Sequence, residues 1–273
     1  MVGRAAPIAL LLCLAASAAW AADSLPQGAL MLAQAPPGSK VTLAGKPLHV
    51  AADGHYVFGV GRNAGPAVML EITGPDGTVK RRPITIAKRD WQIDRVDGVP
   101  EATVSPSPED LARIKSDAQR VAAARKTDSE ETGWLEHFLW PVTGRISGIY
   151  GSQRILNGRP FAPHLGLDIA APAGTPIRVP ADGVVTLADP DQFLTGGTVL
   201  IDHGHGVNSV YAHLQAIDVK VGQHLKQGDV IGGLGMTGRA TGPNLHWGVS
   251  WFTTGLDPAL LVPPMPAASQ PAH

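Results

Sequence analysis

Glycine and proline interrupt this chain too often for long helices: 32 glycines and 24 prolines are spread through 273 residues. Such residues break helical bundles and suit short strands joined by turns, so a mainly β fold is expected. With 44% hydrophobic and 16% charged residues, the chain has apolar material for one large or two small cores and is not composed like a disordered protein. Lys plus Arg is 22 against 23 Asp plus Glu. That leaves no basic excess to neutralise a phosphate backbone, so no nucleic-acid partner is expected.

Residues 1–21 read as a secretory signal peptide. Arg4 supplies the positive start, Pro7 to Ala18 is mostly apolar, and Ala19-Trp20-Ala21 fits a small-x-small cleavage pattern. The mature chain is expected to begin at Ala22 beyond the inner membrane, in the periplasm. No integral membrane segment should remain after cleavage, because the apolar run is shorter than the ~20 residues a spanning helix needs. The sole cysteine, Cys13, lies inside this stretch and follows Leu12 rather than a small residue. The mature protein is therefore expected to lack a thiol, a disulfide and a lipid anchor.

Residues 22–103 hold short alternating or β-branched runs such as Lys40 to Leu43, Tyr56 to Val60, Val68 to Ile72 and Thr78 to Ile86. Turn signals at Ala52-Asp53-Gly54 and Gly74-Pro75-Asp76-Gly77 separate them, which predicts a small antiparallel β-sandwich. No constellation of acids, histidines and nucleophiles gathers there, and His49 and His55 read as surface or strand residues. Residues 104–135 read as a helical linker. Ser107-Pro108-Glu109-Asp110 supplies an N-cap, a first-turn proline and early acids, and Leu111, Ile114, Ala118 and Val121 follow at helical spacing. The mixed charges of this stretch fit a solvated face. Short strands and glycines return over residues 136–264, which marks a second, glycine-rich antiparallel domain, and residues 265–273 form a Pro/Ala-rich tail expected to be disordered.

His164 and Asp168 stand four apart with Gly166 midway. On a straight strand they would share a side but lie ~13 Å apart, too far for metal bonds of about 2.0 to 2.2 Å. The pair can act together only if the chain bends, which Pro163 and Gly166 permit. Taken alone, the spacing is a weak signal and reads first as an ordinary strand-edge pair. Two alternating segments, Ser209 to Leu214 and Pro243 to Gly248, put Tyr211 with His213 on one face and Asn244 with His246 on one face. Trp247 and Trp251 fall at odd steps from His246 and read as core. His203 and His205, in Asp202-His203-Gly204-His205-Gly206, read as a hairpin turn, and His224 as a turn residue. Tyr150 and Arg154 could line a groove, with a packing tyrosine and a surface arginine as the default readings.

The strings PHLGLDIAAPAGTPI, GTVLIDHGHGVNSVYAHL, VGQHLKQGDVIGGLGMTG and GRATGPNLHWGVSWF, preceded by the Gly144 to Gly151 spacing, resemble in order the lysostaphin-type, or LytM-like, zinc metallopeptidases. The resemblance covers roughly Pro141 to Leu261. It implies one Zn²⁺ held by His164, Asp168 and His246, with the fourth position left for water. It also implies that His213 serves as general acid/base beside that water. Where the family usually carries the first His of His-x-His, this chain has Asn244, whose amide can orient water or an oxyanion but cannot exchange a proton near pH 7. The implied activity is endopeptidase cleavage of peptidoglycan stem or cross-link peptides. A catalytically weak cell-wall protein that regulates another hydrolase is the alternative. Gly-x-Val and Gly-Asp-x-Ile segments also occur in sugar-transport phosphocarrier domains, but an export signal separates the chain from their cytoplasmic phosphodonors.

Overall fold

The computed structural model describes residues 24–266. The expected signal peptide and residues 267–273 of the expected tail lie outside the described residues. The fold is mainly β, as the glycine and proline content requires.

The first part of the chain packs two sheets around one core. A five-stranded sheet runs Ser24–Pro26, Val79–Ala87, Ala67–Thr73, Lys40–Leu43, Lys46–Pro47, and a hairpin pairs Leu30–Gln34 with His55–Gly59. Met31, Val41, Tyr56, Phe58, Leu70 and Ile84 fill the space they share. Alternation along these strands supplies the buried face. Every pair is antiparallel except Ser24–Pro26, which runs parallel to Val79–Ala87. The Gly74 to Gly77 turn closes as its sequence suggests: Asp76 Oδ1 accepts from the Thr78 amide at 2.9 Å, and Gly77 takes φ 81°.

Ile93–Val96 does not join that sandwich. It pairs in parallel with Gln153–Leu156, so a strand from the early chain borders the later sheet. A single turn of helix, Glu101–Val104, follows. The main helix is Pro108–Ala124, with Ser107 and Asp110 forming a reciprocal capping box. Its charges are more than a solvated face. Asp117 is buried and accepts from the Phe193 amide at 2.8 Å, while Arg120 pairs with Asp189 at 2.5 Å. Leu111, expected on the apolar stripe, is 54% exposed. The helix is thus held to the sheet largely by polar contacts on its inner side.

The second part is a ten-stranded sheet in which all pairs are antiparallel. Its centre is the order Gly183–Gln192, Gly196–Gly204, Val207–Ile217, Asn244–Trp251, Leu167–Ala170, Arg145–Gly148. Val199, Ile201, Tyr211, Leu214, Leu245 and Trp247 form the core beneath it. His205 and Gly206 make the two-residue hairpin between Gly196–Gly204 and Val207–Ile217, with φ of 50° and 77°. Two positive φ values in succession match the twist of the flanking strands, and they bear out the hairpin reading of this histidine segment.

Candidate metal centre

His164, Asp168 and His246 meet on the open face of the second sheet. The first of them is not on a strand. Its amide donates to the Ser152 carbonyl at 2.9 Å and its carbonyl accepts from the Gly151 amide at 2.7 Å, so the chain bends before the strand Leu167–Ala170 begins. Gly166 makes the bend fit: a Cβ there would stand 2.6 Å from the Trp247 carbonyl oxygen and 2.7 Å from His246 Cε1. Asp168 and His246 are direct cross-strand partners, which places both side chains on one face. The bend that the spacing required is therefore present.

The three ligand atoms form a near-equilateral triangle. His164 Nε2 lies 3.0 Å from Asp168 Oδ1, His246 Nδ1 lies 2.9 Å from the same oxygen, and the two nitrogens are 2.9 Å apart. A tetrahedral zinc with bonds near 2.0 to 2.1 Å puts its ligand atoms about 3.3 Å apart. The tautomers favour a cation as well. His164 Nδ1 donates to the Ile149 carbonyl at 3.0 Å, which leaves Nε2 as a lone pair turned toward a carboxylate oxygen. Two acceptors facing each other at that distance repel unless a proton or a metal ion lies between them. The donor set fits zinc.

Burial and charge keep this set in ligand form. Burial pushes the His246 imidazole down to about 4, against the pull of Asp168. Burial alone would raise the Asp168 carboxyl, but the two imidazoles that face it, His164 and His246, hold it well below the usual carboxylate range. Its second oxygen, Oδ2, is taken by Arg154, and a Cβ on Gly148 would stand 2.5 Å from that same oxygen. Arg154, read by default as a surface residue, is instead 20% exposed and fixes the carboxylate from behind.

His213 reaches the same pocket by an irregularity. Ala212, not His213, is the cross-strand partner of His246, and Tyr211 is the partner of Trp247. Strict alternation would turn His213 into the core with Tyr211, which is fully buried. The register with Gly196–Gly204 shifts in this stretch, and His213 adopts φ 69°, so it emerges on the metal side. The expectation that Tyr211 and His213 share a face is corrected by this bulge. The His213 Nδ1 donates to the Thr237 carbonyl at 2.8 Å, leaving Nε2 as proton acceptor, and burial lowers its pKa so that the ring stays neutral.

A cavity of about 230 Å³ lies over these groups, lined by His164, His213 and His246 together with Arg154, Phe161 and Arg239. Asn244 sits two residues before His246 on the same strand, opposite Ala170. Its Nδ2 donates to the Gly242 carbonyl at 2.8 Å, and it is not among the residues lining the cavity. Tyr150 is a packing residue, with its hydroxyl on the Gly255 carbonyl and its pKa raised by burial to about 12. Trp247 is fully buried, as expected, and Trp251 packs against both cores.

A second trio, His49, Glu130 and His205, also brings ligand atoms within 4.8 Å. Its rings are stacked, with centroids 3.8 Å apart and planes 7° from parallel, so their in-plane lone pairs run side by side instead of converging. Both His49 nitrogens already face carboxylates, Asp128 at 2.8 Å and Glu130 at 3.0 Å. This is an ion-paired stack joining the first sandwich, the linker and the later hairpin. His49 is therefore a joint between these parts, which its surface reading did not anticipate.

A His-Asp-His triangle on an antiparallel sheet, with a neutral histidine of fixed tautomer beside it, defines a centre of the metallopeptidase class. The pattern of Peptidase family M23 matches residues 162–258. A crystal structure described as a peptidase M23 from Pseudomonas aeruginosa is 33% identical, with a TM-score of 0.67, and the match covers 86% of this chain and 94% of that one. The chain belongs to peptidase family M23. Among curated relatives it is 41% identical over 129 residues to the DD-carboxypeptidase/endopeptidase Mpg of Neisseria meningitidis, covering 47% of this chain and 30% of that protein. It is 43% identical over 109 residues to the peptidoglycan DD-endopeptidase ShyC of Vibrio cholerae, covering 40% of this chain and 22% of that one. The chain thus matches less than a third of the length of either relative.

Proposed function

We propose that the chain is an exported zinc metalloendopeptidase that hydrolyses peptide bonds of peptidoglycan stem or cross-link peptides in the periplasm. The observation that carries this reading is the triangle of acceptor atoms from His164, Asp168 and His246 with His213 beside it. The names of the curated relatives support the substrate class. Among the described residues no helix is long and apolar enough to cross a membrane.

His164, Asp168 and His246 would hold the zinc ion, which when bound would supply a Lewis acid for the scissile carbonyl and lower the pKa of water at the site from 15.7 to about 7. The chain's own groups handle orientation and protons. Ile149 fixes the His164 tautomer, and Arg154 holds the Asp168 carboxylate in place. His213 Nε2 takes the proton from the attacking water, and the resulting imidazolium returns it to the departing amine nitrogen. Thr237, which accepts from Nδ1, keeps Nε2 free for both transfers.

The test is metal analysis of the purified chain combined with digestion of purified peptidoglycan. One zinc per chain and new amino termini are expected. Zinc without new termini would favour the cell-wall binding alternative, and neither zinc nor termini would overturn the proposal.

A further inference from the structure

Two arginines line the cavity over the metal centre, and their surroundings differ. The charge of Arg154 is answered by Asp168 and by Asp94, whose Oδ2 lies 3.8 Å from Arg154 Nε. Arg239 makes no ion pair among the described residues. Of its five N–H groups, one is used: Nη1 donates to the Thr103 carbonyl at 3.3 Å. Its guanidinium carbon stands 5.4 Å from the centre of the Phe161 ring, and its backbone amide is tied to the Leu194 carbonyl at 2.8 Å.

This arginine is held from several sides, and most of its donors remain unused. The ring and the Thr103 carbonyl limit its rotamers, so little side-chain entropy is left to lose on binding a ligand. An arginine fork with its donors free is matched in geometry by a carboxylate, which takes two parallel N–H bonds. The carboxylate of the candidate metal centre, Asp168, is already shared between Arg154 and two histidines. No described side chain answers the charge of Arg239, which leaves its fork open to a group from outside the chain.

We propose that Arg239 is a carboxylate-recognition subsite and that it selects peptides bearing a free carboxylate on the residue next to the scissile amide. This deepens, and rests on, the peptidase reading of the same site. Arg239 is a specificity-determining residue here: it reads the substrate's charge and takes no part in the proton transfers assigned to His213.

The experiment uses two peptides that are identical except that the residue released by cleavage ends in a carboxylate or in a carboxamide. Cleavage by the zinc-loaded full chain gives kcat and KM for each, and calorimetry gives binding of the matching product pair to the metal-free protein. The wild type should favour the carboxylate by roughly 10- to 100-fold in kcat/KM, expressed mainly in KM, and by a similar ratio in binding. Arg239→Gln should bring both ratios close to one. Arg239→Lys, which keeps the charge but loses the fork, should fall between. A merely structural arginine would lower both peptides alike and leave the ratio in place, which would overturn the assignment, as would equal use of the two peptides by wild type. If neither peptide is cleaved, the peptidase reading fails, and the binding ratio still decides the role of Arg239.

Discussion

His213 and His246 stand across the metal pocket with ring centroids 6.4 Å apart and planes at 73°, although Ala212 is the residue that pairs with His246. The bulge that brings them together is the step most of the proposed catalysis depends on. His213→Ala should lower kcat by about 10²- to 10⁴-fold, the usual loss for a general acid/base, with zinc content unchanged. Metal analysis and peptidoglycan turnover on the same preparation check both halves. Loss of zinc alongside turnover would mean that His213 is a ligand.

Each of His164→Ala, Asp168→Ala and His246→Ala should lose stoichiometric zinc. In the wild type, added zinc should raise the melting temperature and a chelator should lower it, because the ion binds only the folded triangle. At 100 times the dissociation constant, stabilisation of about 2.7 kcal/mol is expected. Thermal unfolding across a zinc titration measures it, and a flat response would contradict a folded-state site.

Gly166→Ala removes no ligand, yet it should disturb the centre. The added methyl would stand 2.6 Å from the Trp247 carbonyl and 2.7 Å from the His246 ring, closer than packed atoms come, so either the ring or the bend must move. Weaker zinc binding, on the order of 10- to 100-fold, is expected by analogy with changes that misorient a ligand. Wild-type affinity in this variant would show that the bend is soft.

The ion-paired stack predicts a pH effect on stability. Burial works against the charge on His49, but Asp128 and Glu130 outweigh it and raise its pKa above the ordinary 6.5. A raised folded-state value means the stabilisation is full below the unfolded pKa and is lost as pH rises through the folded one. His205, stacked beneath, is kept neutral by burial first and by the His49 charge second. The difference in melting temperature between wild type and His49→Gln should therefore be full below the ordinary 6.5 and shrink as pH rises through the raised folded-state value. A constant difference would remove the ionic part of this joint.

What the sequence disclosed and what it hid divide along lines of range. Ser107 to Asp110 announced their helix because a capping box is local, and His205-Gly206 announced a hairpin because two adjacent residues set the turn. The meeting of His164, Asp168 and His246 was legible through ordered motifs. The placement of His213 was not, because alternation assumes an unbroken strand and no glycine marks the left-handed residue. Arg154 was hidden for another reason: its partner Asp94 lies far along the chain and is brought beside it only by the pairing of Ile93–Val96 with Gln153–Leu156, while Asp168 reaches it only through the bend before Leu167–Ala170. Arg239 is placed by Thr103, Phe161 and Leu194, each distant in sequence, so nothing around it could reveal an unmatched guanidinium.

Asn244 stands where the family usually carries a histidine, and its surroundings predict a small catalytic effect. One of the two Nδ2 N–H groups is given to the Gly242 carbonyl and the side chain does not line the cavity over His164, His213 and His246, so in this arrangement it is not placed as the donor to a developing oxyanion, a role whose removal costs about 10²- to 10³-fold in kcat. Asn244→Ala should therefore retain kcat within about tenfold, below that range, and lose instead the ~1 kcal/mol of stability that one hydrogen bond contributes. Zinc content should not change, since none of the three ligands is touched. Asn244→His places an imidazole two residues from His246 on the same face, where a second proton carrier could act, and its kcat should equal or exceed that of wild type if the ring fits. Comparing the three proteins at matched zinc occupancy decides the matter. A loss of 10²-fold or more in Asn244→Ala would mean that the amide leaves Gly242 during turnover, and cleavage by Asn244→His alone would mean that the native chain binds its substrate without cutting it.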